Sequence, residues 1–238
     1  MALDIYVGSL TRYYAGDWET VSARLARESG SEAVPARADS AEDAIRDPDE
    51  IRPIVTEWRQ GIAAALKESV TDPFDWDESQ KPSYFTDHIG RDAFAALRLW
   101  AAYTEHADLQ RPTALVADLA TDPAFLRSNN PEGTSVYHQV IREIELWLPW
   151  DFAFTFRAET AAGGSKVGLG SAPALRKQLA DLNTKTWRAS SEGTLASWRK
   201  EVPPPGAPLE VLARFAFGVI YPLAALAEKH RLPIKLDT

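Results

Sequence analysis

The chain has 238 residues, 45% apolar and 25% charged, with 13 Gly, 16 Pro and no Cys. This is a globular composition, and a chain of this size buries roughly 70% of its unfolded surface without needing disulfides. The lack of Cys excludes disulfides, a thiol nucleophile and Cys-held metal centres. A formal charge of −8 repels polyphosphate, so nucleic acid is not an expected partner.

Leu3 to Val7 reads as a strand rich in β-formers, ending at Gly8. Ser9 to Gly16 reads as a polar and aromatic connection. Asp17 is placed to cap a helix carrying Trp18, Val21 and Leu25, with Gly30 as its stop. Ser31 to Arg46 is polar and Ala-rich, a loop with some weak helix. Asp47-Pro48-Asp49-Glu50 is a helix start with Pro at the first position and Glu50 placed for a capping box. Ile51, Ile54, Val55, Trp58, Ile62 and Leu66 then recur at helical spacing, and Thr71 to Ser83 breaks the pattern.

Ile89 to His106 is expected to be helical, followed by short helices over Thr113 to Leu119 and Pro123 to Arg127 and a turn at 128–133. Val136, Tyr137, Val140, Ile141, Ile144, Trp147 and Leu148 predict one amphipathic helix, ended by Pro149. Phe152, Phe154 and Phe156 alternate with smaller or polar residues and predict a strand. Lys166 to Leu169 would return as its antiparallel partner after a longish loop holding Gly163-Gly164. Ser171 caps a further helix, another lies around Leu195 and Trp198, and a last one runs from Leu209 to Lys229, bent at Pro222. Pro233 to Leu236 can form a final strand.

About half the chain therefore reads as helix, with three or four strands from its beginning, middle (152–170) and end. The fold expected is α+β: a helix-dominated single domain, 1–238, with a small, mostly antiparallel sheet. The prolines near 203–206 are the one candidate boundary. The start lacks a basic segment followed by an apolar one, as a signal peptide would have. Val211 to Ala227 is interrupted by Arg214 and Pro222 and reads as a buried helix rather than a membrane span. A cytoplasmic protein is expected, with no membrane partner.

Five constellations could carry chemistry. Arg12-Tyr13-Tyr14-Ala15-Gly16-Asp17-Trp18 gathers a cation, two phenols, a carboxylate and an indole where a strand meets a helix. The plainer account is a helix start with aromatics packed inward. Asp72 to Glu78 places four carboxylates around Phe74 and Trp76 without the Gly of a calcium loop. It reads as a solvated acidic loop, or as a contact for a basic partner with Asp75 and Asp77 around a Trp76 anchor. His88 and Asp92 stand i, i+4, which would place them on one face of a helix. His106, His138 and His230 are scattered, so no metal is expected and no cofactor is implied.

Trp147-Leu148-Pro149-Trp150-Asp151 either lines a groove or plugs a junction, while Glu143 and Glu145 diverge on a helix and cannot flank one bond. The Gly-rich run Gly163 to Ser171 fits neither phosphate-loop nor dinucleotide spacing and is explained by a hairpin turn and a helix cap. No GxSxG elbow is present.

In general character the chain resembles cytosolic immunity proteins that neutralise bacterial toxins: acidic, Trp-rich, Cys-free and poor in motifs. Negative charge, eight tryptophans and no recognisable catalytic set lead to the expectation of a protein-binding module, in its sharpest form an immunity-type inhibitor, with a basic protein as partner. Arg12, Tyr13, Tyr14, Asp17, Asp75, Trp76 and Asp77 are its candidate surface residues. The alternative is a hydrolase-like enzyme for a small polar substrate, in a pocket where Tyr13, Asp17 and His88 converge.

Overall fold

A computed structural model describes residues 2–29, 47–70, 75–130 and 133–237. Among the described residues, six strands form one sheet in the order β2-β1-β6-β3-β5-β4. They are β1 (Ala2–Val7), β2 (Phe85–Gly90), β3 (Leu146–Leu148), β4 (Phe156–Thr160), β5 (Gly163–Ser171) and β6 (Ile234–Asp237). Every pairing is antiparallel except β3 with β5. The last strand sits inside the sheet, between the first and the third. That placement ties the segment after the prolines to the start and middle of the chain in one α+β domain.

The helices are α1 (Leu10–Ala15), α2 (Val21–Glu28), α3 (Pro48–Ala65), α4 (Arg91–Glu105), α5 (Pro123–Ser128), α6 (His138–Ile141), α7 (Ala172–Lys185), α8 (Glu192–Lys200) and α9 (Leu209–His230). Two caps predicted from sequence form, Asp47 accepting from Asp49 N and Ser171 from Ala174 N, but Asp17 caps no helix: α2 starts at Val21, leaving Trp18 outside it, and Ala23 N donates to Thr20 Oγ1 instead.

Side chains alternate across the sheet. Leu3, Ile5, Val7, Trp147, Ile234 and Leu236 join one core with the apolar faces of α4, α7 and α9. Leu146, Leu148, Val167 and Leu169 point the other way, into a smaller core with Leu10, Ile51, Val55, Trp76, Trp150 and Phe152. α9 is long and apolar enough by composition to cross a membrane, but 61% of its most apolar window is buried within this protein.

Several sequence expectations are corrected. The segment 136–148 is not one helix: only His138–Ile141 is helical, and Leu146–Leu148 is a strand. Leu146, Trp147 and Leu148 are buried on both sides of the sheet. An apolar run of that kind mimics a helix face in the sequence.

Phe152 and Phe154 precede the strand. The rings of Phe152 and Phe156 approach to 6.0 Å, far closer than the roughly 13 Å that four extended residues span, so the chain turns here. The hairpin turn is short, with Thr160 paired to Gly163, and the glycines lie in β5 rather than in a loop. A Cβ on Gly168 would stand 1.9 Å from Glu143 O, so the strand must be bare where the preceding segment presses on it.

Ser9 to Gly16 contains helix α1 instead of a polar connection. Thr113 to Leu119 is not helical; a short 3₁₀ turn covers Leu119–Thr121. Phe85–Gly90 is a strand, so His88 stands outside α4 and shares no helix face with Asp92. The expected loop at 31–46, the stop at Gly30 and residues 71–74 lie outside the described residues.

Candidate functional site

The N-terminal junction is built around a buried carboxylate. After β1, Ser9 caps α1 by accepting from Arg12 N, and Gly16 closes the helix at φ 73°, a left-handed conformation glycine adopts without strain. The first backbone N–H groups of such a helix lack internal partners. Here Glu78, 5% exposed, supplies them from a distant loop: its carboxylate accepts from Thr11 N at 2.7 Å and Leu10 N at 3.3 Å. It also accepts from the Trp76 indole. Burial pushes the Glu78 carboxyl above the usual range, against the opposing pull of these hydrogen bonds.

Arg12 makes the second tie. Its guanidinium donates to Pro82 O at 2.7 Å and to Gln80 O, and lies 5.2 Å from the Tyr84 ring. Asp17 stands 3.4 Å from Arg12 Nε and accepts from Gln80 Nε2 at 3.2 Å. Tyr13 is buried and donates to Asp237 Oδ1 at 2.6 Å, joining α1 to β6. Tyr6, Tyr13 and Trp18 pack ring against ring at 5.1–5.5 Å. Burial raises the Tyr6 and Tyr14 phenols above their ordinary value, which keeps both neutral.

Trp76 is a correction. It is 4% exposed, packed 5.4 Å from Trp150, so it cannot anchor a partner at the surface. The buried guanidinium of Arg59 lies over its ring at 5.1 Å and donates to its carbonyl at 2.8 Å. Tyr13 likewise faces inward. Its neighbours in the acidic loop point outward: Asp75, 3.2 Å from Arg59 Nε, and Asp77, which accepts from Ser79 N at 2.8 Å. Those Ser79 hydrogen bonds hold the Asp77 carboxyl below its usual value.

The cross-links therefore bring two separate sequence segments to one edge. Asp17, Asp75 and Asp77 remain exposed there, above a base of buried rings. His88 does not join them: it lies on β2 beside Asp87, opposite Asp4 of β1. Tyr13, Asp17 and His88 thus enter three separate contacts. A cleft of about 680 Å³ beside α8 and α9 and another of about 380 Å³ beneath Arg142 and Arg157 are lined by none of the three.

Sequence reasoning missed one constellation. Ser128 Oγ lies 2.9 Å from Glu105 Oε2 and 3.0 Å from His106 Nε2, distances a nucleophile and base would show. Ser128 is only 2% exposed, and Glu105 also accepts from Ser135 Oγ at 2.7 Å and Val136 N at 3.0 Å. A sealed hydroxyl cannot reach a substrate, so the group acts as a tie between α4, α5 and the segment before α6. The spacing of these residues, some twenty or thirty apart in the chain, carries no local signal. Among the described residues no three His, Asp or Glu side chains gather as metal ligands would. Glu145 faces Lys235 at 3.3 Å, and Trp147 and Trp150 fill the interior.

The class these features define is an α+β domain on a six-stranded mixed sheet, with an acidic edge supported by buried aromatic rings. Compared with known protein families, curated proteins and solved structures, the chain matches none.

Proposed function

We propose that the protein is a cytoplasmic protein-binding module whose acidic edge, Asp17, Asp75 and Asp77, grips a basic partner, in the manner of an immunity-type inhibitor of a bacterial toxin. The observation that supports this reading is the pairing of exposed carboxylates with a pre-built support. Glu78 and Arg12 hold both acidic segments in place, so little ordering entropy opposes association. Exposed charge of one sign speeds encounter with an opposite surface and selects among partners. Hydrolysis of a small polar substrate is the weaker reading, because Tyr13 is buried and bonded to Asp237.

The test is affinity capture of the tagged protein from its native host, with cross-linking, at low and high salt. A basic protein should be captured at low salt and released at high salt. Capture should fail for Asp17→Lys/Asp77→Lys, whose circular dichroism should match the parent. Recovery of no partner, or capture indifferent to the charge reversal, would overturn the reading.

A further inference from the structure

On the opposite face of the sheet, the cleft between α8 and α9 has a volume of about 680 Å³. That volume lies inside the range of about 300–1,000 Å³ typical of small-molecule sites. Its geometry follows from two residues of α9. Gly218 lets α8 approach closely, since a Cβ there would stand 3.1 Å from Arg199 N, Leu195 O and Trp198 Cβ. One turn on, Pro222 has no N–H to give the Gly218 carbonyl, and both residues line the cleft.

The remaining wall is apolar: Leu195, Tyr221, Ala225 and Leu226. The charges at the rim are not balanced. Arg199 is spent on Asp87, at 2.5 Å, a carboxylate that is itself 7% exposed and also accepts from His88 N. Glu192 lies in the first turn of α8, where the helix N-terminus compensates an anion. Lys200 and Lys229, in the last turns of α8 and α9, are exposed and enter no ion pair described here. On a protein of net charge −8, this cleft is locally cationic.

We propose that the α8–α9 cleft binds a small amphipathic carboxylate, its apolar body between Leu195, Tyr221, Ala225 and Leu226 and its anionic end at Lys200 and Lys229. A cation would be repelled at the same rim. A neutral apolar molecule would forgo the charge contacts that set orientation. The site is independent of the acidic edge. Asp87 projects to the side of Ile5 and Ile89, whereas Thr86, its neighbour, turns to the other side and donates to Glu19 O.

The experiment is calorimetric titration of the full chain with decanoate, and with decyltrimethylammonium as the cationic counterpart, both kept below micelle formation. Decanoate should saturate a single site and raise the melting temperature; the cation should do neither. Lys200→Glu/Lys229→Glu changes two exposed side chains and should weaken decanoate by at least about tenfold, roughly 1.4 kcal/mol. Ala225→Trp should fill the cleft and abolish binding. Equal binding of both surfactants, no binding of decanoate, or unchanged affinity in either variant would overturn the proposal. None of these results touches capture through Asp17 and Asp77.

Discussion

On one face of the sheet, α4, α7 and α9 bury Leu97, Leu99, Leu179, Phe217 and Leu223 against Leu3, Ile5 and Trp147, with a few bonded polar groups beside them, Tyr103 donating to Asp122 and the Trp147 indole to Gln139 O. On the other, α1, α3 and the loop at 75–84 close over Leu146, Leu148 and Leu169 with tyrosines, tryptophans, Arg59 and the Glu78 carboxylate. The first face is held by apolar burial, which is large and non-directional. The second is held by hydrogen bonds with defined donors and acceptors, individually smaller but fixing where each segment sits. The contrast teaches where specificity of position is needed: the polar face is the one that carries exposed carboxylates from two distant segments.

The comparison can be broken most directly on the apolar face. Phe217 is fully buried, stacked on Tyr221 at 5.1 Å and edge-on to Trp187 at 5.2 Å. Phe217→Ala should cost about 3–5 kcal/mol in urea denaturation, the range for an aromatic removed from a packed core. A cost below that of any Glu78 variant would mean that the two faces are not held differently.

An intermediate effect is expected at Glu78. Glu78→Ala leaves the N–H groups of Leu10 and Thr11 and the Trp76 indole without their acceptor, and should cost about 1–3 kcal/mol. The pH dependence has a definite sign. Burial raises the folded-state pKa of Glu78 above the ordinary carboxyl value, so the folded protein holds this proton more tightly than the unfolded chain. The resulting stabilisation is complete below the unfolded pKa and is lost as pH rises through the folded one. Denaturation from pH 4 to 7 should show the parent losing stability relative to Glu78→Gln; a rise instead would sink this account of the junction.

The smallest effect belongs to the exposed carboxylates. Asp77→Ala removes only a local contact to Ser79 and should change stability by no more than about 0.5 kcal/mol. A larger loss would make Asp77 part of the scaffold rather than of the edge it presents.

Much of the local structure is legible in the residues themselves. Asp47-Pro48 and Ser171 begin helices because a side-chain oxygen can cap the next turn wherever the chain goes afterwards. The helix over 209–230 follows from a long apolar run, and β1 from its β-branched and aromatic residues. Residues 144–148 are the instructive failure. Their apolar pattern satisfies both a helix face and a doubly buried strand, and only pairing with β5 and β6 selects the strand. At the junction, the types present in 12–18 and 72–78 point to one region, but Trp76 and Tyr13 turn inward because large rings gain more by burial than by exposure. Glu78 carries no mark of its own in the sequence; it becomes the keystone only because α1 begins beside it, with the first N–H groups of the helix aimed at its carboxylate.

The sequence by itself determines the α+β class, the main helix starts and the absence of thiol chemistry, since these depend on composition and on interactions within a few residues. Tertiary structure decides which face each ring takes, that the final strand enters the middle of the sheet, and that the loop carrying Asp75 and Asp77 is bonded through Glu78 and Gln80 to the segment carrying Asp17. Those outcomes rest on contacts across sixty or more residues, such as Thr11 N to Glu78 and Arg12 to Pro82, whose partners exist only once the chain has closed on itself.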